Sequence, residues 1–124
     1  MESRVLRAAS GSFTATGPFY AGSRMRIGPM ALLEVAGVKV IVSGKKQQCA
    51  DQAMLRHVGI EPKDQTILSL KSSVHFRADF QPLAHEILVV AAPGPSIADP
   101  ALLEFKRLRA GLRTSPGGKA FRPR

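Results

Sequence analysis

Hydrophobic and polar positions show no sustained period along the first 29 residues of this chain. Residues 1–10 read as a lead-in loop or a short strand, and Gly11–Gly17 alternates weakly, as an edge strand would. Gly17-Pro18, Gly22 and Gly28-Pro29 mark an irregular crossing. From Met30 the pattern sharpens. Two β-rich runs, Ala31–Val35 and Val38–Val42, flank Ala36-Gly37, a spacing that predicts a tight hairpin with Gly37 supplying positive φ. Asp51 stands as N-cap for a helix over Gln52–Val58, whose Met54, Leu55 and Val58 share a face, and Gly59 is placed to end it. The apolar run at Thr66–Leu70 predicts a central strand. A helix from about Ser73 should follow, turning Phe76, Phe80 and Leu83 inward and kinking at Pro82. Glu86–Ala92 predicts a second short strand, and Asp99-Pro100 opens a last helix through Leu102, Leu103 and Phe105.

The predicted order is hairpin, helix, strand, helix, strand, helix. That is an α/β or α+β domain, with a small mixed sheet and helices packed on it. We expect the domain to span residues 1–109. Residues 110–124 form a basic, Gly/Pro-rich tail with little to bury, expected to be disordered or loosely draped.

Composition narrows the class. A chain of 124 residues supports one core. No apolar run approaches the ~20 residues of a membrane helix, and the first ten residues lack the apolar stretch of a signal peptide. The single Cys49 excludes an internal disulfide framework and fits a reducing cytoplasm, the expected location. Net charge is +9, which invites a nucleic-acid reading. However, seven of the 18 basic residues lie from Lys106 onward with no acidic residue among them, leaving 11 basic against 9 acidic before that point. The charge belongs to the tail.

Candidate chemistry concentrates between Lys71 and Phe80. Elsewhere, His57, His85 and Cys49 stand in none of the common metal-ligand spacings, and no intrinsic metal site is expected. Cys49 precedes a helix start, which can depress a thiol pKa, yet a lone cysteine there reads more simply as a small neutral residue. Ser72 and Ser73 lie near His75, but capping explains a serine at that place without a catalytic triad, and no catalytic residue is expected. Lys71, Ser72, His75 and Arg77 remain as a ligand-binding set. A strand ending in Lys-Ser and turning into a helix brings cations and free N–H groups together, the arrangement that anions use. The competing reading makes Arg77 a structural salt bridge to Asp79 or Glu86, with His75 and Phe76 packed.

The string Lys-Ser-x-x-His-Phe-Arg-Ala-x-Phe, here Lys71–Phe80, resembles the C-terminal domain of the microcystinase C (MlrC) family of metallopeptidase-like proteins. Gly11–Gly22, the hairpin at 30–44 and residues 45–62 carry the same resemblance, which covers roughly Gly11–Arg109. It implies a larger N-terminal domain holding zinc and the hydrolytic machinery. On this reading the chain needs no cofactor of its own and is not itself catalytic. It serves as an accessory domain whose partners are that N-terminal domain or chain and a peptide or small anionic ligand, with homo-oligomers possible and no membrane. Where the family ends in a Pro-Leu-Asp-like motif, this chain reads RLRAGLRTSPGGKAFRPR. A domain separated from its partner should also leave an apolar patch, expected from Phe19, Tyr20, Met25 and Ile27. The alternative is a small basic nucleic-acid-binding protein acting through its C-terminal tail.

Overall fold

The computed structural model describes residues 2–92, 97 and 99–122. Residues 1–87 form one compact unit and 88–124 a second. In the first, β1 (Ser3–Ala9), β4 (Met30–Val35) and β5 (Val38–Ser43) make an antiparallel sheet in the order β1-β4-β5. Between β1 and β4 in sequence, β2 (Ser12–Thr14) and β3 (Arg24–Arg26) pair as a two-stranded ribbon.

The expected hairpin is present, with Val35 opposite Val38. Both turn residues have positive φ, Ala36 at 50° and Gly37 at 79°. Such a two-residue turn matches the right-handed twist of its strands. The lead-in resolves as β1, a seven-residue strand against the hairpin's first strand. That places β4, the most apolar strand, in the middle of the sheet.

One core forms from Ala15, Met25, Ile27, Met30 and Leu32 together with Met54, Leu55, Val58, Ile60 and Phe80. Met54 and Leu55 come from α1 (Ala53–Arg56), a single turn, shorter than the expected Gln52–Val58. Gly59 takes φ 86°, and the Ile60 N–H donates to the Leu55 carbonyl at 3.0 Å, closing the helix end. Phe80 ends α2 (Arg77–Phe80), and Pro82 follows inside a 3-10 turn, Gln81–Leu83.

Several expectations are corrected. Residues 66–70 and 86–92 are not strands. Both runs have strand-like composition, yet a strand needs a neighbouring strand to take its N–H and C=O groups, and among the described residues none pairs with either; the Leu70 carbonyl is taken locally by the Ser72 N–H. Ile67 is 85% exposed and Val89 82%. The strand–helix–strand unit implied by the predicted order, and with it the mixed sheet, is therefore not formed among the described residues, whose sheets are antiparallel. The helix expected from Ser73 begins at Arg77, and the last helix contracts to one 3-10 turn, Pro100–Leu102. Mixed α/β holds as a class, with most of the chain in sheet and coil. Met25 and Ile27, expected on the surface, are buried, because β3 turns Met25 inward between the exposed Arg24 and Arg26. In the second unit, Arg113 bridges Ala120, and the Phe121 N–H donates to the Leu112 carbonyl at 2.7 Å.

A buried carboxylate joins three parts of the first unit. Asp51 is fully buried, and its oxygens accept N–H groups from Thr16 (3.2 Å), Gly17 (2.8 Å) and Ala53 (2.9 Å). Asp79 accepts the Gln52 N–H at 2.6 Å, while the Gln52 amide donates back to the Asp79 carbonyl at 2.7 Å. Gly17 is required between these acids: a Cβ there would lie 2.5 Å from Asp79 Oδ2 and 3.1 Å from Asp51 Oδ2. Asp51→Ala leaves three N–H groups unpaired and should cost about 3 kcal/mol or more. Asp64→Ala on the surface should cost less than about 0.5 kcal/mol. Urea denaturation of both variants checks this, and equal losses would contradict it.

Candidate functional site

The stretch Lys71–Phe80 meets two distant segments on one side of the first unit. After β2 the chain turns at Gly17, where the Ala21 N–H donates to the Gly17 carbonyl at 2.9 Å. This turn lifts Phe19 and Tyr20 beside each other, edge to face at 4.7 Å. Phe19 then stacks on the His75 ring at 4.2 Å, with only 20° between planes.

Gln48 links the remaining groups. Its Nε2 donates to Ser72 Oγ at 2.9 Å, so its Oε1 faces His75 Nδ1 at 3.0 Å. Nδ1 must then supply the proton, and a neutral ring carries its lone pair on Nε2. Ser72 Oγ also accepts the Phe76 N–H at 3.3 Å, which leaves the hydroxyl proton free to donate elsewhere. The Tyr20 hydroxyl donates to the Gln48 carbonyl at 3.2 Å and accepts from Gln47 Nε2 at 2.7 Å. The result is an exposed imidazole held at its face by an aromatic ring and at one nitrogen by an amide.

Of the four residues singled out from sequence, the structure joins Ser72 and His75 through Gln48. Lys71 is exposed on the same stretch. The Arg77 guanidinium lies over the Phe76 ring, 5.3 Å from its centroid. Arg77 makes no ion pair with Asp79 or Glu86, since Asp79 is engaged by Gln52. Phe19 and Tyr20 were expected only as part of an apolar patch, and Gln47 and Gln48 escaped the sequence reading. The only available signal was an aromatic pair between glycines, because nothing local links position 48 to position 75.

The donors present do not fit a zinc site. Among the described residues no three of His, Cys, Asp or Glu converge. The Nε2 of His57 is occupied by the Gly11 N–H at 3.2 Å, and its ring lies 4.9 Å from Phe13. On the flank of α1, Arg56 donates twice to Glu61 and once to Gln52 Oε1. The hydrogen bond from Arg56 holds the Glu61 carboxyl below its ordinary pKa. No helix among the described residues is long and apolar enough to cross a membrane.

Cys49 is half-buried beside the core, and its thiol is pushed up to about 11, first by burial and then by the Asp51 charge. The lowering offered by a helix start is outweighed. Against an ordinary value of 9.0, the native thiol at pH 8 should react about 100-fold more slowly than the same thiol in denaturant. Because the folded pKa is raised, its contribution to stability is complete below pH 9 and lost as pH climbs towards 11. Thiol-disulfide dye kinetics at pH 8, native and denatured, check the first point; equal rates would contradict it.

With this geometry in view, comparison with known proteins places the chain. It is similar to Microcystinase C of a Sphingomonas species, 32% identical over 71 residues, covering 57% of this chain and 14% of that protein. It also superimposes on a crystal structure of a metallopeptidase-like protein from Mesorhizobium sp. BNC1, with TM-score 0.62 and 26% identity. That match covers 68% of this chain and 17% of the other. The chain thus spans a small fraction of the length of the relatives it matches. Residues 1–107 match the family model for the MlrC C-terminus, and by that match the chain belongs to the MlrC C-terminal family.

Proposed function

We propose that this chain works as the accessory C-terminal domain of a metallopeptidase-like protein whose zinc and hydrolytic groups reside on a separate N-terminal domain. Its own contribution is recognition. The observation that carries the reading is the His75 imidazole fixed by Gln48 and Phe19 in the very string that marks the family. A fixed ring spends little entropy on binding, and its Nε2 is left for a ligand. Protonated, the ring keeps its bond to Gln48 Oε1 and offers Nε2–H to an oxyanion. The Ser72 hydroxyl supplies a further donor, and Lys71 and Arg77 supply positive charge along the same stretch. A carboxylate of a peptide or another small anionic ligand suits this donor set. No step of the hydrolysis runs through these residues; they hold and orient.

Glutarate serves as the probe. Titration followed by NMR should show saturable shifts at residues 71–77, removed in His75→Ala and weakened roughly tenfold in Arg77→Ala. Melting temperatures should stay close to wild type in both, whereas Phe80→Ala should cost ~3–5 kcal/mol. If Arg77→Ala destabilises the domain as severely as Phe80→Ala, Arg77 is structural and the recognition reading fails.

Elemental analysis of the purified chain should find zinc well below stoichiometric. Tight, stoichiometric zinc would contradict the assignment of the metal to another domain.

A further inference from the structure

Cross-strand register fixes which side chains share a face of the β1-β4-β5 sheet. Val5, Leu33 and Val40 form one row across it, Ala8, Ala31 and Val42 a second, and Val35 and Val38 a third that ends on the polar Ser3. Met30, Leu32 and Ile41 point the other way, into or against the core, and so do Arg4, Glu34 and Lys39 at the hairpin end. The sheet's charges therefore lie on its core side, and these three rows carry none. Yet this face is open: Val5 is 64% exposed, Val38 61%, Val42 44% and Val40 38%. An antiparallel sheet with one wet face normally alternates apolar and polar residues. Here the open face has the composition of a buried layer, and the charges sit at the margin of the other.

Size selects the occupant. Three strands of about six residues, at ~3.3 Å rise and ~4.8 Å spacing, give a footprint of roughly 300 Å². A stable dimer buries about 800 Å² on each partner, well beyond this face. Interfaces between domains of one chain begin at about 600 Å² in total, or roughly 300 Å² per side, because tethering lowers the cost of association. The relatives supply such a tethered neighbour, since this chain corresponds to only 14% and 17% of their lengths. We infer that the outer face of β1-β4-β5 is the docking surface for an uncharged, apolar face of the metallopeptidase-like domain that precedes this one. The inference rests on the accessory-domain reading above and adds to it the surface through which the domain is held.

The test uses Microcystinase C with its matched region replaced by this chain, beside the chain alone. Val40→Cys reports on the proposed face and Lys39→Cys on the opposite one, each read by alkylation and mass spectrometry. Docking predicts that Val40→Cys reacts about tenfold or more slowly in the chimera than in the isolated chain. Lys39→Cys should react equally in both. Rapid labelling of Val40→Cys in a chimera that melts as one unit would overturn this surface and leave the accessory-domain reading standing. Two independent melts would overturn both. Labelling of the isolated Val40→Cys chain that slows as its concentration rises would show a second copy on the face and overturn the assigned partner.

Discussion

A single buried carboxylate organises the first unit. Asp51 sits at the junction of the Gly17 turn, the loop after β5 and the start of α1, and three backbone N–H groups hold it there. Neither α1 nor α2 is long enough to be stable as an isolated helix. Each is positioned by an acid: α1 by Asp51, and α2 by Asp79, whose side chain and carbonyl are bound by Gln52. The network substitutes fixed hydrogen bonds for the length that these helices lack. Glycine at position 17 is the steric condition for it, since both carboxylates approach within the space of a methyl group.

The candidate site hangs on the same junction. Phe19 and Tyr20 follow Gly17 after Pro18, and Gln48 lies three residues before Asp51. His75 lies just before α2, on the Asp79 side. Anything that loosens the carboxylate network therefore separates the ring from the amide that orients it. Stability and recognition depend on one junction through separate bonds, so a variant's effect on binding is read beside its effect on melting.

Local rules explain what the sequence made legible. The hairpin at 30–43, the helix stop at Gly59 and the break at Pro82 each depend on neighbours within a few residues. The family string at Lys71–Phe80 was equally visible, and the match over residues 1–107 agrees with it. Strands at 66–70 and 86–92 were not decidable in this way, because an apolar run reports burial preference and says nothing of a hydrogen-bonding partner. Met25 misled for a related reason: a three-residue strand is too short for its alternation to show against the irregular text around it.

The site was legible in its cations and illegible in its geometry. Arg77 and Asp79 are neighbours in sequence, yet one lies over Phe76 and the other is bound by Gln52. Gln47-Gln48 carries no local signal, and only the folded chain brings Gln48 to Ser72 and His75. Cys49 reads from sequence as a small neutral residue, and the burial that raises its thiol pKa agrees with that. Hydrogen exchange in the native state tests the central claim directly. If Asp51 binds the Gly17 turn and α1 into one cooperative unit, the amides of Thr16, Gly17 and Ala53 should open with the same free energy as those of Leu55 and Val58. Thr16 and Gly17 exchanging at the rate of a free loop, while Val58 stays protected, would contradict it.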